Sequence, residues 1–305
     1  MKILITGGLG NLGSWLTNYF LEEHSVTVIA RREKNVISHP NYQFLQADIT
    51  NLSQLNEAID CYYDVCIHTA SYNEHFHADY TEKSLTINSL GTEFLCQSLS
   101  RHGVGQLIYF STFHVYGCSK GDVDETTAIE PVNDYGLTHF FAEKYIEKHH
   151  RNSGLNYTIL RLSNSYGCPT FLNSDKWYLA LNDLCQQAIK NQRIELKSNG
   201  LSIRDFIWMG DVVSVVDQII RLPKPLNDVF NLSSGQSYSL NQIAEYVQSA
   251  YFKEFEQDIM VSVNEDDSSS PDPLKVVNNK ISSHVQHKYA NKVEFEARKI
   301  LNLLA

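Results

Sequence analysis

The sequence predicts an α/β fold: a doubly wound parallel sheet followed by a smaller C-terminal α/β lobe. In the first half of the chain, short runs rich in β-branched and aromatic residues alternate with runs that carry apolar residues every three or four positions. A glycine-rich turn lies between the first strand-like run and the first helical run. Because parallel strands need crossover connections, this alternation favours one parallel sheet with helices on both faces.

The elements of the first half follow from these patterns in chain order. The expected strands are Lys2–Ile5, Val26–Ala30, Tyr42–Gln46, Val65–His68, Leu107–Ser111 and Tyr157–Leu162. The expected helices are Leu12–Glu23, Leu52–Ile59, Thr81–His102 and Tyr135–Asn152. Gly103 and Gly154 follow the last two helices, where glycine is the favoured C-terminal cap. We therefore expect those helices to end there.

The regular alternation breaks into shorter pieces after Asn164. A helix is expected around Trp177–Asn191, a strand near Ile203–Ile207, and a surface loop over the Ser- and Pro-rich segment Glu265–Pro273. This change predicts a first domain over residues 1–164 and a smaller lobe over residues 165–305, between which the chain can cross.

Composition and charge exclude several classes of protein. The 305 residues include 25 Lys and Arg against 35 Asp and Glu, a net charge of −10 that argues against nucleic-acid binding through a basic face. The longest apolar runs are strand-sized and no secretory signal follows Met1, so we expect a cytoplasmic protein without membrane contact. No cysteine pair or histidine motif has metal-ligand spacing, so we expect no metal site.

The glycine-rich turn predicts dinucleotide binding. Gly7, Gly10 and Gly13 allow a tight turn and let the backbone around Asn11 and Leu12 approach a pyrophosphate at the start of a helix. Residues 1–164 are therefore expected to form a Rossmann-type domain. Arg31 and Arg32 follow the second strand, where an acidic residue would accept the ribose hydroxyl of NAD. Two guanidinium groups favour the 2′-phosphate of NADP(H), although NAD(H) stays possible.

Further motifs follow in order along the chain. They read NSLGT at 88–92, STFHVYG at 111–117, LRLSNSYG at 160–167 and RDFI at 204–207. With the glycine turn, these motifs resemble the extended short-chain dehydrogenase/reductase family, in its NAD-dependent epimerase/dehydratase (nucleotide-sugar) branch. The resemblance covers nearly the whole chain. It implies further cofactor-binding residues, namely Asp48, Ile49, Thr69, Ala70 and Ser71.

The same resemblance implies a catalytic set. Tyr135 matches the acid/base tyrosine, and Thr112 matches the hydroxyl residue that binds the same substrate oxygen. Family members carry a lysine four residues after the tyrosine, which favours the phenolate electrostatically. Here that position is His139, which we expect to orient the ribose of the cofactor and to be cationic only below its ordinary pKa near 6.5.

The residues after Thr112 bear on the type of reaction. Family dehydratases have an Asp-Glu pair there, and this chain has Phe113 and His114. His114 matches an acid/base position of the GDP-fucose synthase branch; the alternative is a histidine packed at a strand end. Substrate contacts implied by the resemblance or by position are Tyr72, His75, Phe113, Asn164, Tyr166 and Arg204.

Three functions follow as expectations. The first is an NADP(H)-dependent oxidoreductase acting on a nucleotide-diphosphate sugar, a 4-keto-6-deoxy sugar reductase in deoxysugar or surface-polysaccharide biosynthesis. The second is a nucleotide-sugar epimerase with retained NAD(P). The third is a catalytically impaired dinucleotide-binding regulator or assembly partner. By family analogy, Thr81–His102 and Tyr135–Asn152 are expected to form a four-helix homodimer interface.

Overall fold

A computed structural model of the chain describes residues 1–33, 37–73, 79–173, 176–268 and 272–305. The chain folds into two compact units. The first comprises Met1–Gly117, Glu125–Leu162 and Val216–Asn231, and the second comprises Cys118–Asp124, Ser163–Val215 and Leu232–Ala305. The assignment of binding roles to residues 1–164 and 165–305 stays a prediction.

The strands of the described residues are short and are numbered in chain order. They are β1 (Lys2–Thr6), β2 (Ser25–Ala30), β3 (Tyr42–Gln46), β4 (Tyr63–His68), β5 (Val104–Thr112), β6 (Gly121–Val123), β7 (Tyr157–Leu162), β8 (Asn164–Tyr166), β9 (Arg193–Glu195), β10 (Ile203–Trp208), β11 (Asp228–Leu232), β12 (Ser237–Ser239), β13 (Met260–Ser262) and β14 (Leu274–Val276).

The helices are numbered in the same way. They are α1 (Asn11–Leu21), α2 (Leu52–Ala58), α3 (Tyr80–Ser84), α4 (Gly91–His102), α5 (Asp134–Ser153), α6 (Ala180–Asn191), α7 (Met209–Ile220), α8 (Leu240–Phe255), α9 (Asn279–Ser282) and α10 (Val293–Leu304). A π-helix, Leu85–Leu90, joins α3 to α4, and a 3₁₀ turn, Phe113–Tyr116, follows β5.

The first unit is built on a seven-stranded sheet of order β11-β7-β5-β4-β1-β2-β3. The pairs from β3 across to β7 are parallel. Strand order reverses between β1 and β4, because β2 and β3 lie on one side and β5 and β7 on the other. Ligands of open α/β sheets bind at such a reversal, beyond the carboxyl ends of the strands. The predicted Rossmann-type fold is confirmed.

The apolar runs of the first unit form its core. Ile3, Leu4 and Ile5 of β1 are fully buried, as expected for a strand covered on both faces. Leu95 and Leu99 of α4 pack in the same cluster as β4 and β5. Gly103 and Gly154 have positive φ angles of 82° and 72° and end α4 and α5, as predicted.

The second unit contains a smaller sheet and a helical layer. Its sheet has the order β12-β10-β14-β6, with β8 also paired to β10, and β13 pairs with β9. The buried apolar side chains of α6, α8 and α10 form a core of their own. Across the described residues of both units, no helix has the length and apolar character needed to cross a bilayer.

Several elements differ from the prediction. The expected helix Thr81–His102 is interrupted by the π-helix, and α6 begins at Ala180 rather than Trp177. Strands β6, β8, β12, β13 and β14 have three residues each and were not predicted. Three residues are too few for a period of two to stand out from loop sequence.

Candidate active site

The glycine turn at the carboxyl end of β1 has the shape that a pyrophosphate requires. Gly10 precedes α1 with extended backbone and no side-chain cap, so the first-turn N–H groups at Asn11, Leu12 and Gly13 have no helical acceptor. A Cβ on Gly13 would lie 2.1 Å from the carbonyl oxygen of Gly7. These features fit a bound anion at the helix start.

The residues after β4 close against this turn. Gly7 has φ 72°, and a Cβ there would lie 2.7 Å from the backbone nitrogen of Ala70. Thr69 donates from its backbone nitrogen and from Oγ1 to the carbonyl oxygen of Thr6, at 3.0 and 2.8 Å. Ser71 follows as an exposed residue. Hydrogen bonds and close packing therefore join the ends of β1 and β4 at the point where the strand order reverses.

The other predicted cofactor residues lie at the ends of β2 and β3. Arg31 and Arg32 directly follow β2 and are exposed, and neither forms an ion pair within the described part of the chain. After β3, Asp48 Oδ1 accepts from the backbone nitrogen and hydroxyl of Thr50, at 2.9 and 2.8 Å. Ile49 is buried against Gly91, where a Cβ would lie 3.1 Å from the isoleucine side chain.

The 3₁₀ turn after β5 sets the positions of Thr112 and His114. Thr112 is buried, and its Oγ1 accepts from the backbone nitrogen of His114 at 3.2 Å, which leaves the hydroxyl proton available for donation. The turn packs closely on the start of α5, because a Cβ on Gly136 would lie 2.5 Å from the carbonyl oxygen of His114. Phe113 is buried with its ring 4.3 Å from that of His114.

Tyr135 lies in the first turn of α5, directly before the residue that bonds to the N-cap of the helix. The Asn133 side chain accepts from the backbone nitrogen of Gly136, which satisfies a first-turn donor. The Tyr135 ring lies 5.8 Å from the His114 ring and 4.5 Å from the His139 ring, edge-on to both. The structure therefore brings together Tyr135, His139 and His114, next to the turn that follows Thr112.

His139 differs from its predicted state. Its side chain is only 2% exposed, and its Nδ1 lies 2.6 Å from the hydroxyl of Tyr109 on β5. Burial, with smaller effects of His68 and His114, lowers the pKa of the His139 imidazole from 6.5 to about 3. The expectation that His139 becomes cationic just below its ordinary pKa near 6.5 is therefore wrong, because burial disfavours the charged form of the ring. At neutral pH it supplies no positive charge to Tyr135.

A buried charged cluster holds the middle of α5 against the sheet. Arg161 of β7 donates from Nε and Nη2 to the two carboxylate oxygens of Glu143, at 3.0 and 2.7 Å. The Ser111 hydroxyl donates to Glu143 Oε1 at 2.6 Å, and Arg161 Nη1 donates to the Tyr116 hydroxyl at 3.0 Å. Sequence reasoning missed this cluster. The spacing of Tyr135, His139 and Glu143, each four residues apart, was the available signal.

The predicted substrate residues are divided between the units. Tyr72 in the first unit is held by Asn88, whose Oδ1 accepts from the Tyr72 backbone nitrogen at 2.7 Å and whose Nδ2 donates to its carbonyl oxygen at 3.1 Å. His75 lies outside the described residues.

Phe113, described above, is also in the first unit, whereas Asn164, Tyr166 and Arg204 belong to the second. Asn164 Nδ2 donates to the carbonyl oxygen of Asp205 at 2.9 Å, and Arg204 Nη1 donates to that of Ile203 at 2.7 Å. The buried Tyr166 hydroxyl accepts from the Lys292 backbone nitrogen at 2.9 Å. In the part of the chain that the structure describes, no group of three or more His, Cys, Asp or Glu side chains could hold a metal ion.

A model of the NAD dependent epimerase/dehydratase family matches residues 3–233, which is more than half of the 305 residues. The chain belongs to this family. The resemblance to the extended short-chain dehydrogenase/reductases, in their nucleotide-sugar branch, is thereby confirmed.

Individual members of the NAD dependent epimerase/dehydratase family match most of the chain. A Methanocaldococcus jannaschii protein, provisionally assigned as a UDP-glucose 4-epimerase, is 28% identical over 254 residues, 81% of this chain and 81% of that protein. A dTDP-glucose 4,6-dehydratase of Streptomyces antibioticus is 26% identical over 251 residues, 77% of this chain and 72% of that protein.

A solved structure shows the same fold at full length. UDP-glucuronic acid 4-epimerase from Bacillus cereus, crystallised with UDP-glucuronic acid and NAD, superposes with a TM-score of 0.79 over 100% of both chains, at 22% identity. At this identity the likeness is one of fold.

Proposed function

We propose that the chain is a nucleotide-sugar epimerase that oxidises and re-reduces one carbon of the sugar with a retained nicotinamide dinucleotide. The observation that carries the proposal is the close packing of the turn after Thr112 on the first turn of α5, where Tyr135 lies. This packing supports a shared site for the Thr112 hydroxyl and the Tyr135 phenol, at the same sheet edge as the glycine turn, from which β4 separates it. The epimerase names among its relatives support it.

Each residue has a defined task in this reaction. Tyr135 takes the proton of the sugar hydroxyl as the carbon is oxidised and returns it on reduction. Thr112 donates its hydroxyl proton to the same oxygen. The glycine turn and the start of α1 hold the pyrophosphate. When bound, the nicotinamide supplies a hydride acceptor that becomes a donor for the second half of the reaction.

The neutral state of His139 favours a second candidate, reduction of a 4-keto-6-deoxy nucleotide sugar by NADPH. Epimerisation begins with an oxidation, for which Tyr135 must accept a proton. A cation at position 139 would favour that state, and a neutral imidazole does not. A reductase needs Tyr135 only as a proton donor, which a neutral phenol already is.

The remaining expectations are part of the same proposal. Arg31 and Arg32 support a preference for NADP(H), whereas the Bacillus cereus epimerase was crystallised with NAD. A nucleotide-diphosphate sugar is the proposed substrate, with contacts to Tyr72, His75, Phe113, Asn164, Tyr166 and Arg204. The partner is a second copy of the chain, and we place the dinucleotide in residues 1–164 and the sugar in residues 165–305.

The test offers both kinds of substrate. The protein is incubated with a panel of UDP- and dTDP-hexoses without reductant, and the products are separated by chromatography. An epimer that forms with wild type and not with Tyr135→Phe supports the epimerase. The matched control is Tyr145→Phe, which removes a hydroxyl from the same helix and should retain activity.

The second arm supplies NADPH and NDP-4-keto-6-deoxy sugars and follows absorbance at the nicotinamide band. Oxidation of NADPH without any epimer in the first arm would replace the epimerase by the reductase. If neither arm gives a product although the protein binds the dinucleotide, the third function, a dinucleotide-binding regulator or assembly partner, replaces both enzymes.

A further inference from the structure

Two buried imidazoles of the first unit differ in how their nitrogens are used. His68 is fully buried, with Nδ1 2.7 Å from Thr6 Oγ1 and Nε2 2.9 Å from Thr92 Oγ1. His139 is equally buried, but only its Nδ1 is bonded, to Tyr109. Among the described residues, Nε2 of His139 has no partner. A buried polar atom without a partner is costly, so it points to a ligand or a function.

The hydroxyl of Tyr109 determines which nitrogen of His139 carries the proton. If Tyr109 donates to Nδ1, the proton of the ring lies on Nε2, and one buried N–H lacks a partner. If instead Nδ1 carried the proton and donated it to the Tyr109 oxygen, two groups would lack a hydrogen-bond partner within the described residues: the Tyr109 hydroxyl proton and the Nε2 lone pair. The first arrangement leaves fewer buried groups unsatisfied. Burial raises the pKa of Tyr109 well above its usual range, which keeps this hydroxyl protonated.

The ring of His139 lies beside that of Tyr135, the proposed acid/base residue. In an imidazole, Nε2 faces away from the direction of the Nδ1 bond, so here it faces away from the Tyr109 hydroxyl. The ring of Tyr135, one helical turn earlier, lies 4.5 Å from the ring of His139. A neutral donor therefore stands beside Tyr135 where related proteins have a cation.

We propose that Tyr109 is a positioning residue of this site: it fixes His139 in the tautomer with the proton on Nε2, so that this N–H serves a hydroxyl oxygen beside Tyr135. That oxygen comes from the ribose of the bound dinucleotide or from the phenol of Tyr135. The tautomer of His139 does not depend on the proposed function. The assignment of the oxygen to a ribose hydroxyl does rest on the proposed function, because it requires a bound dinucleotide.

The tautomer is measured by nitrogen NMR of protein labelled with ¹⁵N-histidine, without ligand. In wild type, the His139 signals should show a proton on Nε2 alone. Tyr109→Phe should release the ring into a mixture of tautomers, while His68, bonded at both nitrogens, keeps its signals. Tyr157→Phe removes another buried hydroxyl from the neighbouring strand and should leave His139 unchanged. A wild-type proton on Nδ1, or no response to Tyr109→Phe, would overturn the proposal.

Titration with NADP and NAD, followed by NMR and by calorimetry, distinguishes the two sources of the oxygen. If the oxygen is a ribose hydroxyl, the Nε2 NMR signal moves on titration. Tyr109→Phe then raises the calorimetric Kd about tenfold, which corresponds to the loss of one hydrogen bond. If it is the phenol, which does not contact Nε2 in the structure, the Nε2 signal moves on titration in wild type and not in Tyr135→Phe, and Tyr109→Phe leaves Kd unchanged. A signal that responds to neither refutes the donor role.

A second pair of variants covers the case in which Tyr109→Phe does not fold. His139→Gln keeps an acceptor for Tyr109 and an N–H donor, so it should retain more activity, at matched dinucleotide saturation, than His139→Phe, which has neither. Equal loss in both variants would argue against the donor. A chain that binds neither dinucleotide refutes the proposed function, while the NMR result still decides the tautomer.

Discussion

At the scale of single residues, His139 is a buried, neutral imidazole at the position where the family resemblance implies a lysine. Because the pKa of the buried imidazole is about 3, its charge does not change between pH 5 and 9. We expect the rate of an oxidation to rise with pH as Tyr135 becomes a better base, without an inflection from His139. His139→Lys should move this rise at least about one pH unit lower, since a nearby ammonium favours the phenolate.

The measurement for His139→Lys is the pH profile of kcat with the substrate found active. His150→Lys, on the same helix, is the control and should leave the profile unchanged. If His139→Lys loses activity that wild type has, the imidazole is a working part of a modified site rather than a weakened lysine.

Buried imidazoles also make stability depend on pH. His68 and His139 both have a pKa of about 3 in the folded state against an ordinary value of 6.5. Between these values the unfolded chain binds protons that the folded chain does not, so stability falls as pH falls. Each imidazole contributes about 1.4 kcal/mol per pH unit in this window. Urea unfolding at pH 6 and pH 5 should therefore show a loss that His139→Gln reduces by about that amount.

The control for this stability effect is Asn152→Gln, an exchange at an exposed position of the same helix that removes no titratable group. It should leave the pH dependence of unfolding unchanged. An identical slope in wild type and His139→Gln would show that the imidazole titrates normally in the folded state.

The proposed preference for NADP(H) rests on Arg31 and Arg32, the two arginines after β2. Each charge-assisted contact to a 2′-phosphate is worth about 1.5–3 kcal/mol, so NADPH should bind more tightly than NADH. Arg31→Ala with Arg32→Ala should erase a preference of about tenfold or more. Calorimetric titration of both cofactors measures this. Tighter binding of NADH by wild type would return the arginines to ordinary surface charges.

At the scale of elements, the turn between β1 and α1 depends on the lack of a side chain at one position. A Cβ on Gly13 would lie 2.1 Å from the carbonyl oxygen of Gly7, so Gly13→Ala must displace the turn. We expect loss of dinucleotide binding in a folded protein. Gly154→Ala is the matched control, because nothing lies within 4 Å of its Cβ and only its positive φ is strained. It should cost about 1 kcal/mol of stability and keep binding.

The element scale also shows what sequence patterns can and cannot predict. The long strands of the first sheet were predictable because their buried faces impose apolar runs. The proximity of Tyr135 and His139 was also predictable, because residues four positions apart lie on the same face of a helix. The neutral state of His139 was not, because it depends on burial by residues distant in sequence, such as Tyr109, which contacts the ring from a strand 30 positions away. The Arg161–Glu143 pair likewise joins a strand and a helix whose contact no local pattern records.

At the scale of the whole molecule, exposed apolar side chains mark the helices expected to form a homodimer. Leu85, Leu90 and Phe141 are 41%, 39% and 41% exposed. Phe141→Glu should turn a dimer into a monomer, because it places a charge where apolar surface is buried on association. Light scattering measures the mass. Phe252→Glu on α8, at a side chain that is 51% exposed, is the control and should leave the mass unchanged.

The π-helix before α4 makes the chain sensitive to length at that point. A π-turn holds one residue more than an α-turn of the same height, and the extra residue lies in the segment Leu85–Leu90 that carries Asn88. Deleting one residue there would restore α-helical winding and rotate Asn88 away from the Tyr72 backbone and from Thr138 Oγ1, which its Nδ2 contacts at 3.0 Å. Leu85–Leu90 should therefore tolerate many substitutions at its exposed positions, but almost no deletion. The number of residues between α3 and α4 matters to the site as much as the side chains do.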